Sequence, residues 1–279
     1  MMLSAIWTLS VSASEPVPGM TMTVATTDGR EADFPLAMVS EVTFSEKPDG
    51  SYFHTPLYGK KIGYHGDSLV ESRTNNGGAF AAMISELTGS EYENRAKSGA
   101  SVAVTADERR NVVSDIESLP DDLDLIFIGG GVNDFWINVP LGEFPSEEKP
   151  GMSASADLTY AVDETTYTGA ALESVLRKAI KKWPGKPIVY MIPHKIDGAY
   201  WGRRADGLSF RDFTERARKV CMKYGVTCFD AERTMILSGG NPDHRERYFY
   251  KSDGVHPNEA GYREFYVPRL ISLFSSLVY

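Results

Sequence analysis

Residues 123–134 read Leu-Asp-Leu-Ile-Phe-Ile-Gly-Gly-Gly-Val-Asn-Asp. The run LDLIFI is almost continuously apolar and ends at three glycines. Such a run suits a parallel strand buried on both faces, because the crossovers between parallel strands cover both sides of the sheet with helices. The flanking sequence keeps the same pattern. Residues 61–64 form a short strand candidate closing at Gly66, residues 187–192 a second buried strand, and residues 226–229 a third; residues 92–96 are a weaker one. Helix candidates lie between them. Residues 78–87 place Phe80, Met83, Ile84 and Leu87 at helical spacing. Residues 170–183 are amphipathic and stop at Pro184-Gly185, and residues 210–224 end at Gly225. Residues 257–278 are helical with an interruption expected near Pro268. Strands that alternate with helices predict right-handed βαβ units around a parallel sheet. In such a sheet, sites form at the carboxyl ends of the strands.

The first fifth of the chain reads differently. Residues 21–27 alternate, Asp28-Gly29 marks a tight turn, and residues 31–36 return as a partner strand. Residues 40–45 add a third run before the turn at Lys47-Pro48-Asp49-Gly50. The expected organisation is a small β-rich module over residues 15–55 followed by a large α/β domain over residues 56–279. Residues 1–13, MMLSAIWTLSVSA, resemble a short export signal with a small-residue cleavage site but without a basic leading segment. They predict residues 1–14 as a signal remnant and export to the periplasm, cell surface or medium, with the cytoplasm as the alternative.

Composition narrows the partners. With 42% hydrophobic and 24% charged residues the chain has the make-up of a soluble globular protein. Its net charge of -9 argues against nucleic acid or an anionic membrane surface, both of which attract basic patches. No stretch is long and apolar enough to span a bilayer. Cys221 and Cys228 match neither a zinc site nor a redox C-x-x-C; they read as two buried thiols or as one disulfide. The sequence does not fix the oligomeric state.

Four segments carry chemistry. In Gly66-Asp67-Ser68-Leu69 a serine sits between a strand and a helix, where its hydroxyl and its backbone N–H face the same spot. By itself it could equally be a helix cap. In Asp253-Gly254-Val255-His256-Pro257 an aspartate three residues before a histidine can hold the near ring nitrogen, leaving the other to activate a hydroxyl. Gly129-Gly130-Gly131-Val132-Asn133-Asp134 follows the most apolar strand. It fits neither dinucleotide nor phosphate-loop spacing, and it offers the Asn133 amide to a developing oxyanion. Ser98-Gly99 follows the weak strand, so the Gly99 N–H can join those of Ser68 and Asn133.

In this order the four segments resemble the SGNH, or GDSL-type, serine hydrolases, from Tyr58 to the C-terminus. The resemblance implies a three-layer α/β/α fold with a central parallel sheet, flavodoxin-like. It makes Ser68 the nucleophile, His256 its base and Asp253 the orienting carboxylate. Ser68 N–H, Gly99 N–H and the Asn133 side chain become the oxyanion hole. No metal or organic cofactor is implied. The β-rich module departs from the family, whose nucleophile block lies near the start of the mature chain.

The expected activity is hydrolysis of carboxylic esters through an acyl-enzyme. Short acyl groups, chiefly acetyl, on carbohydrate are favoured, since no long apolar lid is present. Trp136, His194 and Trp201 are the candidate substrate contacts. A lipase, lysophospholipase or thioesterase is the alternative enzyme. An inactive glycan- or envelope-binding relative is the alternative of another class.

Overall fold

The computed structural model describes residues 21–25, 31–35, 55–72, 80–105, 111–142, 166–198 and 204–278. The chain divides into two compact units, Met1–Ser51 and Tyr52–Tyr279. In the first, β1 (Thr21–Ala25) and β2 (Glu31–Pro35) pair antiparallel, with Thr21 opposite Pro35 and Ala25 opposite Glu31. The turn at 28–29, the third run at 40–45 and the signal-like residues 1–13 lie outside the described residues.

The second unit holds a five-stranded parallel sheet: β3 (Lys61–His65), β4 (Glu91–Asn94), β5 (Leu125–Gly129), β6 (Ile188–Ile192) and β7 (Thr227–Asp230), in the order β4-β3-β5-β6-β7. Period-two alternation divides the core. Ile62, Tyr64, Leu125, Phe127, Val189 and Met191 join one cluster, while Ile126, Ile128, Ile188, Tyr190 and Ile192 join another. Because β5 and β6 are covered on both faces, every residue of each is buried. The edge strand β4 reads EYEN and keeps the Glu91 carboxylate exposed, a charge that discourages pairing with another chain.

The helices run α1 (Ser68–Glu71), α2 (Phe80–Thr88), α3 (Val112–Asp115), α4 (Val132–Trp136), α5 (Thr168–Lys182), α6 (Phe210–Tyr224), α7 (Ala231–Thr234), α8 (Pro242–Tyr248), α9 (Glu259–Gly261) and α10 (Val267–Leu277). They are built on local signals. Ser209 and Asp212 form a reciprocal capping box at the start of α6, and Gly225 closes it in the left-handed conformation. Asn241 caps α8 and Pro242 opens it.

The interruption expected near Pro268 takes a specific form. Residues Tyr262–Tyr266 are a π-helical segment, and α10 begins directly after it with Pro268 in its first turn. Widening the preceding turn accommodates a residue that lacks an N–H and whose ring crowds the carbonyl four residues back. Cys221 is buried, Cys228 is half-buried, and both are free thiols.

In a sheet of this order the crevice for a ligand opens between the strands where connections leave toward opposite faces, here β3 and β5. Their ends touch there. Gly66 has φ +153°, and a Cβ on it would stand 2.3 Å from the Gly129 carbonyl oxygen. Both the backbone conformation and the space demand glycine. Gly66→Ala is expected to lower the unfolding free energy by about 3 kcal/mol or more, measured by urea denaturation. A loss below about 1 kcal/mol would show that the two strand ends separate freely.

Candidate active site

Three chain segments meet above this contact. β3 delivers Ser68 as the first residue of α1, so its backbone N–H has no acceptor within the helix. Asp67 caps the same helix, accepting the Leu69 N–H at 2.9 Å. From the other end of the chain, the loop after α8 delivers Asp253 and His256. Asp253 Oδ1 accepts the N–H groups of Val255 and His256, each at 2.8 Å, which curls the loop around its own carboxylate. Asp253 Oδ2 lies 2.7 Å from His256 Nδ1, and His256 Nε2 lies 2.9 Å from Ser68 Oγ.

Proton positions follow from what each group can do. An ionised carboxylate only accepts, so His256 Nδ1 carries the hydrogen and Nε2 is left to accept from the serine hydroxyl. Burial works against ionising Asp253, but the bonds from the His256 ring and from the Val255 and His256 N–H groups outweigh it. They hold the carboxyl below the usual carboxylate range. The chain hydroxyl–imidazole–carboxylate can therefore pass a proton from Ser68 to His256 as the serine oxygen attacks an electrophile, with the resulting imidazolium facing a carboxylate.

Further hydrogen-bond donors beside Ser68 come from two loops. Asn133, in the first turn of α4, donates through Nδ2 to the Ala100 carbonyl at 2.9 Å. An amide has two hydrogens, so this bond orients the group and leaves one to serve a ligand. Gly99 lies in the neighbouring loop with φ +80° and is half-buried.

Two residues fix that loop, and sequence reading assigned neither a role. Asp134 is fully buried and accepts the N–H groups of Val102 at 2.7 Å and Ala103 at 3.0 Å. Glu71, at the end of α1, accepts the Ser98 N–H at 2.7 Å and also the Ser98 hydroxyl, which ties the Gly99 loop to the helix that carries Ser68. Both bonds join segments that are remote along the chain, so no local spacing announces them.

Residues 64–264 match the model of the GDSL-like Lipase/Acylhydrolase family. The chain belongs to that family. It is accordingly a hydrolase of carboxylic esters. Among solved structures it is similar to one crystal structure at 25% identity, covering 80% of this chain and 100% of the other with a TM-score of 0.67. A protein from Lactobacillus plantarum is 22% identical over 79% and 98% of the two chains, TM-score 0.63. An acetyl xylan esterase is 18% identical over 76% and 98%, TM-score 0.51. No curated protein matches the chain in sequence.

The expected substrate contacts fare differently from one another within this GDSL-like hydrolase. Trp136 is 43% exposed at the end of α4, one turn beyond Asn133. Trp201 lies outside the described residues. His194 must be corrected: it is completely buried, its Nδ1 lies 2.6 Å from the Tyr266 hydroxyl, and its ring packs against Phe249. A ring enclosed in this way has no surface to offer a substrate. Burial first, and the neighbouring His256 second, pull its pKa down to about 3 against the Val255 backbone, so it is neutral. Among the described residues no helix is long and apolar enough to cross a membrane.

Asp67 is the second ionisable group beneath the site. One carboxylate oxygen caps α1 and the other makes no hydrogen bond. Burial pushes the carboxyl up to about 6, against the lowering effects of the Leu69 N–H and of His256. The folded chain thus holds this proton more tightly than the unfolded chain. The stability it contributes is complete below the unfolded pKa and disappears as pH rises through the folded one. The rise from the ordinary aspartate value to about 6 corresponds to about 3 kcal/mol. Asp67→Asn keeps an acceptor for Leu69 and cannot ionise. It is expected to gain on the parent by up to about 3 kcal/mol between about pH 4 and about pH 7 in urea unfolding. A difference that stays constant with pH would show that Asp67 does not titrate in this window.

Proposed function

We propose that this hydrolase cleaves short-chain esters, chiefly acetyl esters of carbohydrates, through an acyl-enzyme on Ser68. The observation that carries the catalytic part is the continuous bonded chain from Ser68 Oγ through His256 to Asp253, at 2.9 and 2.7 Å. Ser68 Oγ attacks the ester carbonyl carbon while His256 Nε2 takes the hydroxyl proton. The carbonyl becomes an oxyanion that receives hydrogen bonds from the Ser68 N–H, the Gly99 N–H and the Asn133 amide. His256 then gives its proton to the departing alcohol oxygen, and the acyl group stays on Ser68. Water, deprotonated by the same nitrogen, releases the acid and restores the hydroxyl. Asp253 holds the imidazole in the required tautomer and faces its charged form.

The acyl and alcohol preferences rest on the surroundings. Trp136 presents an exposed aromatic face one turn from Asn133, suited to the apolar face of a sugar ring. A protein of the same fold is an acetyl xylan esterase. The apolar cavity beside Gly131, lined by Leu141, Leu172, Met191, Phe210 and Phe213, holds only about 20 Å³, room for about one water and not for a long acyl chain. The signal-like N-terminus favours export, which would bring the enzyme to acetylated polysaccharide.

Ser68→Ala is expected to fold as the parent does and to lose on the order of 10⁴–10⁶-fold in kcat on nitrophenyl acetate. A fluorophosphonate probe should label the parent at Ser68 and leave the variant unlabelled. Turnover surviving in the variant would remove Ser68 from the mechanism. Asn133→Ala should cost about 10²–10³-fold in kcat with little change in thermal unfolding; collapse of the fold would instead make Asn133 a structural residue. Across nitrophenyl esters of increasing length, kcat/KM should fall beyond the shortest acyl groups, and acetylated xylan should be deacetylated. A rise toward long chains would favour the lipase reading.

A further inference from the structure

The loop that carries Asp253 and His256 is held from behind by two other segments. Gly254 lies between the two residues with φ +71°, and its carbonyl accepts the Asp197 N–H at 3.0 Å. Gly239, which precedes α8, donates its own N–H to the Lys195 carbonyl at 2.7 Å. A Cβ on Gly239 would fall 1.7 Å from the Gly254 oxygen, and one on Gly254 would fall 2.7 Å from Asp197 Cβ. Three backbones therefore pass in contact, with no room for a side chain between them.

One side chain spans the crossing. Arg245, on α8, donates from Nε to the Gly239 carbonyl at 3.0 Å and from Nη2 to the Asp197 carboxylate. Below, the strap that bears Asp197 begins at buried His194, anchored on Tyr266. The Asp197 and Arg245 side chains are each about one third exposed. An ion pair of that exposure contributes little to stability by charge alone. Its value lies in geometry, because a planar guanidinium fixes two acceptors in one plane, which an ammonium cannot do.

We propose that the Asp197–Arg245 pair is a positioning device for the bonded chain of Ser68, His256 and Asp253. It holds Gly254 in place, so the Asp253 carboxylate and the His256 ring stay in line with the serine hydroxyl. Its effect on turnover rests on the esterase reading, whereas its effect on the His256–Asp253 bond does not.

The test compares the parent with Arg245→Lys and with Asp197→Asn, which keeps the Asp197 N–H bond to Gly254. Three quantities are measured on the full chain: kcat and KM on nitrophenyl acetate, thermal unfolding, and the low-field proton NMR resonance of His256 Nδ1–H. Both variants are expected to stay folded at the assay temperature. Each should lose about 10–100-fold in kcat with KM within about twofold, the cost of misaligned reacting groups. The Nδ1–H resonance, sharp in the parent, should broaden through faster exchange.

Folded variants that keep the parental kcat and resonance would overturn the proposal. So would a loss of kcat that merely follows the unfolded fraction. If Arg245→Lys does not fold, Asp197→Asn decides by the same criteria. A parent that fails to turn over or label, but whose resonance broadens in the variants, would sink the esterase reading and leave the positioning role standing. An active parent with unaffected variants would do the reverse.

Discussion

The meeting of two strand ends at Gly66 and Gly129 sets the geometry of everything above it. Backbone against backbone, with no Cβ between them, places the turn after β3 beside the turn after β5. Ser68 leaves one turn and Asn133 the other, so a hydroxyl and an amide from separate βα units share one small volume. The parallel ladder continues past the strands into the same region, with Arg95 N–H on the Tyr64 carbonyl and Lys97 N–H on the Gly66 carbonyl, each at 2.8 Å. That brings the Gly99 loop alongside. A side chain at residue 66 would force the strands apart and disperse all three donors.

Around this contact the protein buries polar groups that an ordinary core would avoid. Asp67, Asp134 and His194 are all within a few per cent of complete burial. Asp134 is compensated by backbone N–H groups, and His194 escapes the cost by staying neutral. Asp67 is only half satisfied, and burial makes it hold its proton more firmly. Asp134 and His194 each tie one segment to another, the 102–103 loop to α4 and residue 194 to the π-helical segment, whereas Asp67 caps its own helix.

Much of this was legible in the sequence because it depends on local signals. The apolar run of residues 123–128 and the capped, glycine-ended segment 210–224 correspond to β5 and α6, the latter to the residue. Ser68, His256, Asp253 and Asn133 could be singled out because each lies in a short pattern beside a strand or helix end. Contacts that join distant segments left no such mark: Glu71 to Ser98, Asp134 to Val102, and Arg245 to Asp197. His194 shows the opposite failure. A histidine in a polar, aromatic loop reads as exposed, but packing against Phe249 and Tyr266 takes it into the interior. The expected break at Pro268 was real as a perturbation, yet a π turn absorbed it without ending the helix.

Ser68 Oγ and His256 Nε2 are separated by 188 positions along the chain. A ribosome building this protein exposes the strand that bears the hydroxyl long before it makes the imidazole. All the sheet strands of the second unit precede residue 231, but Tyr262, Tyr266, Leu270 and Phe274 from the later segment fill the core against one face of that sheet. The Tyr262 hydroxyl also reaches the Leu69 carbonyl, so the last stretch to be synthesised both closes the core and brings the imidazole to the hydroxyl.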